Sequence, residues 1–579
     1  MGDEEPEDVA ATFCATLVDE WARGGVREAV VAPGSRSTPM ALALAADERI
    51  RVHVHHDERA AGFTALGIGL ESGRPAVVLT TSGTAAVELH PSVVEADAAC
   101  VPLLVVTADR PPELHDVGAP QTIDQTHLFG RAPRWFVDPG VPTGVAADTW
   151  RSLASRAVAE ATTGPAGPGP VHLNLPFREP LIGRPGALPA GRAEDRPWHT
   201  TIGRRAAIDR LGAEALAQHL DADRGVIVAG SEAGDPDVVL ALARATGWPV
   251  LADPRSGCRV PDPSVVAAFD AILRHAGTAA VLRPDVVLHL GSLPASRVLW
   301  EWSIASGATV VAVDRHGRWF DPARRAAHVL HADPTAAASA LVQLLGGRPA
   351  EPAWAEAWSS AEALAQGAIA ATLDAHIDIT EPGVARTLIA TLPDEATLVV
   401  SSSMPVRDVE WFGAPRTGVT ILANRGANGI DGVLSTAVGV ALAAGDGRPT
   451  VAFVGDVAFL HDSNALIGVA AREIDLTIVV IDNDGGGIFS FLPPASSLPE
   501  DRFEQLFGTP HGVDLRVLAA AHGLMTVEPA GAAEVGPALT ASIAAGGVRL
   551  LLATTDRNAN VAVHDEVHAA VAAALDARR

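Results

Sequence analysis

Not one lysine occurs in the 579 residues, so the basic complement, 43 residues against 69 acidic ones, is entirely arginine. The resulting formal charge of -26 opposes nonspecific binding to nucleic acid or to an anionic membrane, since both need a positive surface. It also means that any carboxylate or phosphate gripped by a side-chain cation is gripped by a planar fork. Cysteine is nearly as scarce. Cys14, Cys100 and Cys258 are widely spaced with no CxxC, which indicates neither a disulfide framework nor a zinc site and fits a reducing cytosol. No apolar run approaches the roughly 20 residues that span a bilayer. The opening MGDEEPEDVA is acidic and lacks a charged-then-apolar signal, so a soluble, cytoplasmic protein is expected.

Apolar residues, by contrast, make up 48% of the chain, and its length exceeds what one core organises, so two to four domains are expected. Three regions repeat one rhythm: a short apolar run, a loop with Gly, Ser or Asp, then an Ala-rich helical stretch. The runs are VREAVVAPGS, RPAVVLTTSG and CVPLLVVTADRP in the first region, RGVIVAGSE, PDVVLHLGS and ATVVAVD in the second, and ATLVVSSS, RPTVAFVGD and LTIVVIDND in the third. Short continuous apolar runs alternating with helices predict an α/β class of doubly wound domains with mainly parallel sheets, where ligands collect beyond the carboxyl ends of the strands. Aperiodic Pro- and Gly-rich stretches, Arg178 to Pro197 and Gly346 to Trp354, read as linkers. The expected domains are 1-185, 198-348 and 365-579.

One segment carries chemistry. In VAFVGDVAFLHDSNALIGVAAREIDLTIVVIDNDGGGIF an apolar strand ends at Gly455 and Asp456, one helical stretch follows, and a second strand ends at Asp482 and Asn483 before Gly485, Gly486 and Gly487. Asp456 and Asn483, 27 positions apart, would therefore share one rim of a sheet. A hard cation such as Mg²⁺ takes few carboxylates, an amide or backbone carbonyl, water and diphosphate oxygens, and Asp456, Asn483 and Gly485 supply the protein share. Gly455 permits close backbone approach, and the helix after Asp456 offers its first amides to phosphate. Either dipeptide alone, GD or ND, is equally an ordinary strand-ending turn.

Together they resemble the thiamine diphosphate signature, usually GDG, about 26 residues, then N or NN. Val457 here replaces the last Gly, and Asp484 follows Asn483. The resemblance implies the thiamine diphosphate-binding fold, with Mg²⁺ or Mn²⁺, and a carboxylate from another domain against the cofactor's aminopyrimidine ring. Glu58, in RVHVHHDERAAGFTALGIGL, takes that acid/base role. A neutral or raised-pKa carboxyl there favours the imino tautomer, whose nitrogen removes the thiazolium proton. Its plain alternative is a helix-start Glu favoured by the macrodipole. His53, His55 and His56 read as structural, since alternate strand residues face opposite sides.

A closer resemblance rests on APGSRSTP, HHDERAAGF, TTSGTAA, TADRP, GAPQTIDQ, NRGANGIDG and DNDGGGIF. These are similar to motifs of the 2-succinyl-5-enolpyruvyl-6-hydroxy-3-cyclohexene-1-carboxylate synthases of menaquinone biosynthesis. Pro120 stands where that family usually has Asn. The resemblance implies decarboxylation of 2-oxoglutarate on the cofactor, which supplies the electron sink, and conjugate addition of the succinyl carbanion to isochorismate. Both substrates are dicarboxylates. Arg36, Arg110, Arg407 and Arg425 fall in strand-end loops where forks can bind carboxylates, and Ser35, Gln121 and Ser403 add neutral hydrogen bonds. Arg36, Gln121, Ser35, Arg407 and Arg425 join Glu58 as catalytic candidates, and Arg297 is a middle-region contribution to substrate binding. Ile430 matches the apolar wedge that bends the cofactor, while Ile488 and Phe489 wall the pocket, each with core packing as its alternative. A homodimer or dimer of dimers follows, with Glu58 of one subunit meeting Asp456 of the partner subunit. Two competitors are another thiamine-dependent decarboxylase or carboligase of the acetohydroxyacid synthase type and a noncatalytic nucleotide-binding protein on the same layers.

Overall fold

Each apolar run quoted above forms a strand, and most are buried along their whole length, as parallel strands covered on both faces must be. The computed structural model describes residues 8–201, 207–345, 351–445 and 447–577. Its strands form three six-stranded parallel sheets.

The first sheet, in spatial order, holds Arg51–Val54, Glu28–Val31, Ala76–Thr80, Leu103–Asp109, Pro170–Pro176 and Trp135–Val137. The third holds Thr420–Leu422, Thr397–Val400, Thr450–Gly455, Leu476–Asp482, Val548–Thr554 and Met525–Val527. Numbered in chain order, both sheets run 2-1-3-4-6-5. The middle sheet, from Val265–Val266 through Val250–Ala252, Gly225–Ala229, Val286–Leu290 and Thr309–Val313 to Ala326–Leu330, runs 3-2-1-4-5-6. In open sheets of this kind, ligands bind where the strand order reverses, because the two crossovers leave on opposite faces and open a crevice. In the first sheet that point lies between Glu28–Val31 and Ala76–Thr80, whose outgoing loops carry Ser35, Arg36 and Ser82. In the third it lies between Thr397–Val400 and Thr450–Gly455, followed by Ser403 and Asp456.

The chain groups into two compact units. The first comprises 1–204 with 424–450 and 458–476; the second comprises 205–423, 451–457 and 477–579. Within the first, the helix Val433–Ala443 packs along Glu58–Ser72 so closely that a Cβ on Gly67 would overlap the Thr436 carbonyl, and one on Gly439 the Thr64 carbonyl. Within the second, the helix Pro352–Asp374 buries Trp354 and Trp358 in the core of the middle sheet, with Trp358 edge-on to Trp302 at 5.8 Å. Position 365 therefore falls inside a helix.

Two local readings are corrected. The Pro-rich stretch from Arg178 is irregular but tied to its own unit: Gly186 N donates to Thr12 Oγ1 at 2.8 Å and Arg151 Nε to the Pro189 carbonyl at 2.7 Å. Where strand and helix partners are lacking, side chains of the neighbouring helices take up its backbone groups, and the Arg184 carbonyl accepts from Asp8 N at 3.0 Å. The connection after Asp456 is not one helix. It is the six-residue helix Asp456–His461 followed by 3-10 turns at Ser463–Leu466 and Val469–Ala471, with Gly468 in the left-handed region at φ 70° between them. No helix among the described residues is long and apolar enough to cross a membrane.

Candidate active site

At the rim of the third sheet Asp456 is buried and its carboxylate organises the adjoining backbone. Oδ2 accepts from Asn483 N at 3.1 Å and Gly485 N at 2.9 Å, and Oδ1 from Val457 N at 2.6 Å. Gly485 sits at φ 140°, where a Cβ would run into the Gly508 carbonyl, so the close turn demands glycine. Asn483 Oδ1 is buried and meets no donor. Buried acceptors rarely go unpaired, and an amide oxygen beside a carboxylate matches the donor set of a hard divalent cation. Asp456, Asp482 and His511 also offer ligand atoms within 4.8 Å of one another. Burial and the Asp456 charge push the Asp482 carboxyl up, a repulsion that a cation would relieve. The Asp456 carboxylate and the Asn483 amide oxygen thus fit the chemistry of a divalent metal.

Behind the rim lies a network that sequence reasoning missed. Asn483 Nδ2 donates to Glu381 Oε1 at 2.8 Å, and Thr555 Oγ1 donates to the same oxygen at 3.2 Å. Burial, aided by the Asp408 charge, raises Glu381 to about 7. Asp408 in turn bonds His564 Nε2 at 2.8 Å.

A separate group lies within the first unit. Glu58 opens the helix Glu58–Ser72 directly after its cap Asp57, which accepts from Ala60 N at 3.0 Å and from Asn464 Nδ2 at 2.6 Å. His55, three residues before Glu58, is buried and held neutral, its pKa lowered to about 3 by burial and the nearby Arg472 charge. The NRGANGIDG segment is anchored by Glu95, which accepts from Gly426 N at 2.7 Å and Ala427 N at 2.6 Å and so fixes the loop bearing Arg425 and Ile430.

Two expected substrate residues, Arg110 and Gln121, meet around Ser82. Arg110 Nη1 donates to Ser82 Oγ, Ser82 Oγ donates to the Gln121 carbonyl at 2.8 Å, and Arg110 Nη2 reaches Gln121 Oε1 at 3.5 Å. Arg110 is held below the usual guanidinium range by burial and by the Arg36 charge. Arg36 itself donates to the Phe177 carbonyl at 3.0 Å and pairs with Glu179. Gln125, fully buried, ties the cluster to the sheet: it accepts from Gly83 N at 2.9 Å and donates to Asn174 Oδ1 at 2.7 Å. Ser35 is exposed on the same outgoing loop as Arg36.

The remaining candidates divide. Arg407 lies not in a loop but within the helix Met404–Phe412, where Nη1 donates to the Ser403 carbonyl at 2.6 Å, because the chain turns into helix immediately after Ser403. Ser403 occupies φ 74°, ψ -133°, a conformation costly for any residue with a Cβ and typical of functional loops. Ile488 packs against the hydrophobic core, and Phe489 lies 5.5 Å from the Phe507 ring. Arg297 is solvent-exposed at the start of its helix and pairs with Glu301 at 2.6 Å. The residues sequence reasoning missed, Glu95, Gln125 and Glu381, are buried polar groups whose partners lie far along the chain; Gln125 alone lay in a quoted motif, GAPQTIDQ.

Residues 11–128 match the thiamine pyrophosphate enzyme N-terminal TPP binding domain, 192–400 the middle domain of thiamine pyrophosphate enzymes, and 401–552 the C-terminal TPP binding domain. Fold and site together thus define a three-domain thiamine pyrophosphate enzyme. The 2-succinyl-5-enolpyruvyl-6-hydroxy-3-cyclohexene-1-carboxylate synthase of Chloroflexus aurantiacus is 44% identical over 97% of this chain and 96% of its own. Those of Myxococcus xanthus and Thermobifida fusca are 42% and 43% identical, covering 97% and 98% of the chain and 97% and 99% of their own lengths. The chain belongs to this synthase family.

Proposed function

We propose that the protein decarboxylates 2-oxoglutarate with thiamine diphosphate and a divalent metal, Mg²⁺ or Mn²⁺, and adds the remaining succinyl unit to isochorismate by conjugate addition. The products are 2-succinyl-5-enolpyruvyl-6-hydroxy-3-cyclohexene-1-carboxylate and CO2, in menaquinone biosynthesis. The observation that carries the reading is the pair at the strand ends: buried Asp456 beside the donorless amide oxygen of Asn483. Asp456, Asn483 and the Gly485 carbonyl hold the cation and, through it, the diphosphate. When bound, thiamine diphosphate supplies the electron sink for decarboxylation. Glu58 holds a proton at the aminopyrimidine nitrogen. Arg36 and Arg110 bind substrate carboxylate while Gln121 hydrogen-bonds beside them, a role supported by the Arg36 charge acting on Arg110 and by the Arg110–Gln121 contact at 3.5 Å. Arg407, Arg425, Ser35 and Ser403 are further polar candidates for contact with substrate. Ile430, Ile488 and Phe489 exclude water from the reacting centre.

The working form is a homodimer or dimer of dimers, Glu58 coming from one subunit and the diphosphate-binding residues from the other. Three free, buried cysteines are in keeping with a cytoplasmic location. The test supplies purified protein, thiamine diphosphate and Mg²⁺ with 2-oxoglutarate and isochorismate, or with pyruvate alone. The succinylated adduct is expected only from the first mixture; turnover of pyruvate without any adduct from the first rejects the assignment.

A further inference from the structure

Glu381 is no ligand, yet it touches one. It opens the helix Glu381–Thr391, whose cap Thr380 accepts from Gly383 N at 3.1 Å, and its side chain is buried. One oxygen, Oε1, receives both the Thr555 hydroxyl at 3.2 Å and Asn483 Nδ2 at 2.8 Å. An amide presents an oxygen on one side and an NH2 on the other, and the two orientations have nearly the same shape. An acceptor at Oε1 removes that ambiguity. In the flipped orientation Asn483 would set its own oxygen against Oε1 and turn two hydrogens toward the place where a cation has to sit. In the observed one, Oδ1 is the buried atom with no donor.

We infer that Glu381 is a positioning residue that fixes the amide orientation of Asn483 and thereby makes its Oδ1 a metal ligand. This rests on the reading that Asp456 and Asn483 hold the cation. Groups that orient metal ligands typically change metal affinity by about 10–100-fold when removed. The acceptor, rather than the negative charge, is what the geometry uses, so a glutamine suffices when its amide oxygen takes the place of Oε1, where the Thr555 hydroxyl donates.

The experiment titrates Mn²⁺ into full-length protein with thiamine diphosphate and follows free Mn²⁺ by electron paramagnetic resonance, for wild type, Glu381→Leu, Glu381→Gln and Asp456→Ala. Glu381→Leu is expected to bind Mn²⁺ about 10–100-fold more weakly and Glu381→Gln within about threefold of wild type. Should Glu381→Leu not fold, Glu381→Met takes its place with the same expected loss. Wild-type affinity in the apolar variant, or an equal loss in Glu381→Gln, overturns the inference. Asp456→Ala separates the two levels: if it binds Mn²⁺ like wild type, the metal site itself is misplaced, whereas loss there with normal binding in Glu381→Leu removes only the role of Glu381.

Discussion

Two carboxyls illustrate how differently a single residue can matter here. Glu58 stands at the first turn of a helix after the first sheet's edge strand, and that position is what recommends it. Glu58→Gln keeps the shape but cannot release a proton, so it is expected to lower kcat by about 10²–10⁴-fold with thiamine diphosphate still bound. Stopped assays with 2-oxoglutarate and isochorismate, beside cofactor binding followed by circular dichroism, measure both halves; full activity would remove Glu58 from the mechanism. Glu410 acts on stability instead. Fully buried, with Oε2 accepting from Ala295 N at 2.7 Å, it is raised from 4.5 to about 8 by burial and then by the Asp253 and Asp270 charges. Between those two values the folded chain keeps a proton that the unfolded chain has lost. The stability linked to this group is therefore complete below pH 4.5 and is lost as pH rises through about 8, with a slope of at most about 1.4 kcal/mol per pH unit. Glu410→Gln is expected to flatten the fall of melting temperature between pH 5 and pH 8; an unchanged slope would assign that fall to other groups.

At the scale of elements, the contact between Glu58–Ser72 and Val433–Ala443 is made by backbone against backbone. Gly67 and Gly439 each face a carbonyl that cannot swing aside as a flexible side chain would. Gly439→Ala should therefore destabilise by about 1–3 kcal/mol, as overpacking does. Gly367, in the helix Pro352–Asp374, has open space where its Cβ would go. Gly367→Ala gains helix propensity, about 0.5–1 kcal/mol, and should raise the melting temperature or leave it alone. Thermal unfolding of the two variants checks the contrast. Equal effects would mean that the helices separate more easily than their packing implies.

For the whole molecule, the prediction concerns assembly. If each active site takes Glu58 from one subunit and Asp456 from the other, inactive Glu58→Gln and Asp456→Ala proteins should complement when mixed under exchanging conditions. Random pairing makes half the dimers mixed, each with one intact site, so about a quarter of wild-type activity returns. No recovery despite proven subunit exchange would place both residues of a site in one chain.

The strands, their burial on both faces and the rim position of Asp456 and Asn483 were legible because they depend on residues adjacent in sequence: apolar runs ending in Gly, Asp and Asn. So were the Arg110 and Gln121 motifs, eleven positions apart. What determined nothing by itself was any polar residue whose partner lies far along the chain. Glu381 meets Asn483 across 102 positions and Glu95 meets Gly426 across 331, and no local pattern marks either pair. Helix length between Asp456 and Asn483 was misjudged for the same reason, since that connection breaks into turns where tertiary contacts, such as Asp462 with Ser435 N at 2.7 Å, take over from helical hydrogen bonds. By itself the sequence determined which side chains could hold a cation and a diphosphate. Only the tertiary structure decided which way the Asn483 amide faces, because that orientation depends on an acceptor brought in from another helix.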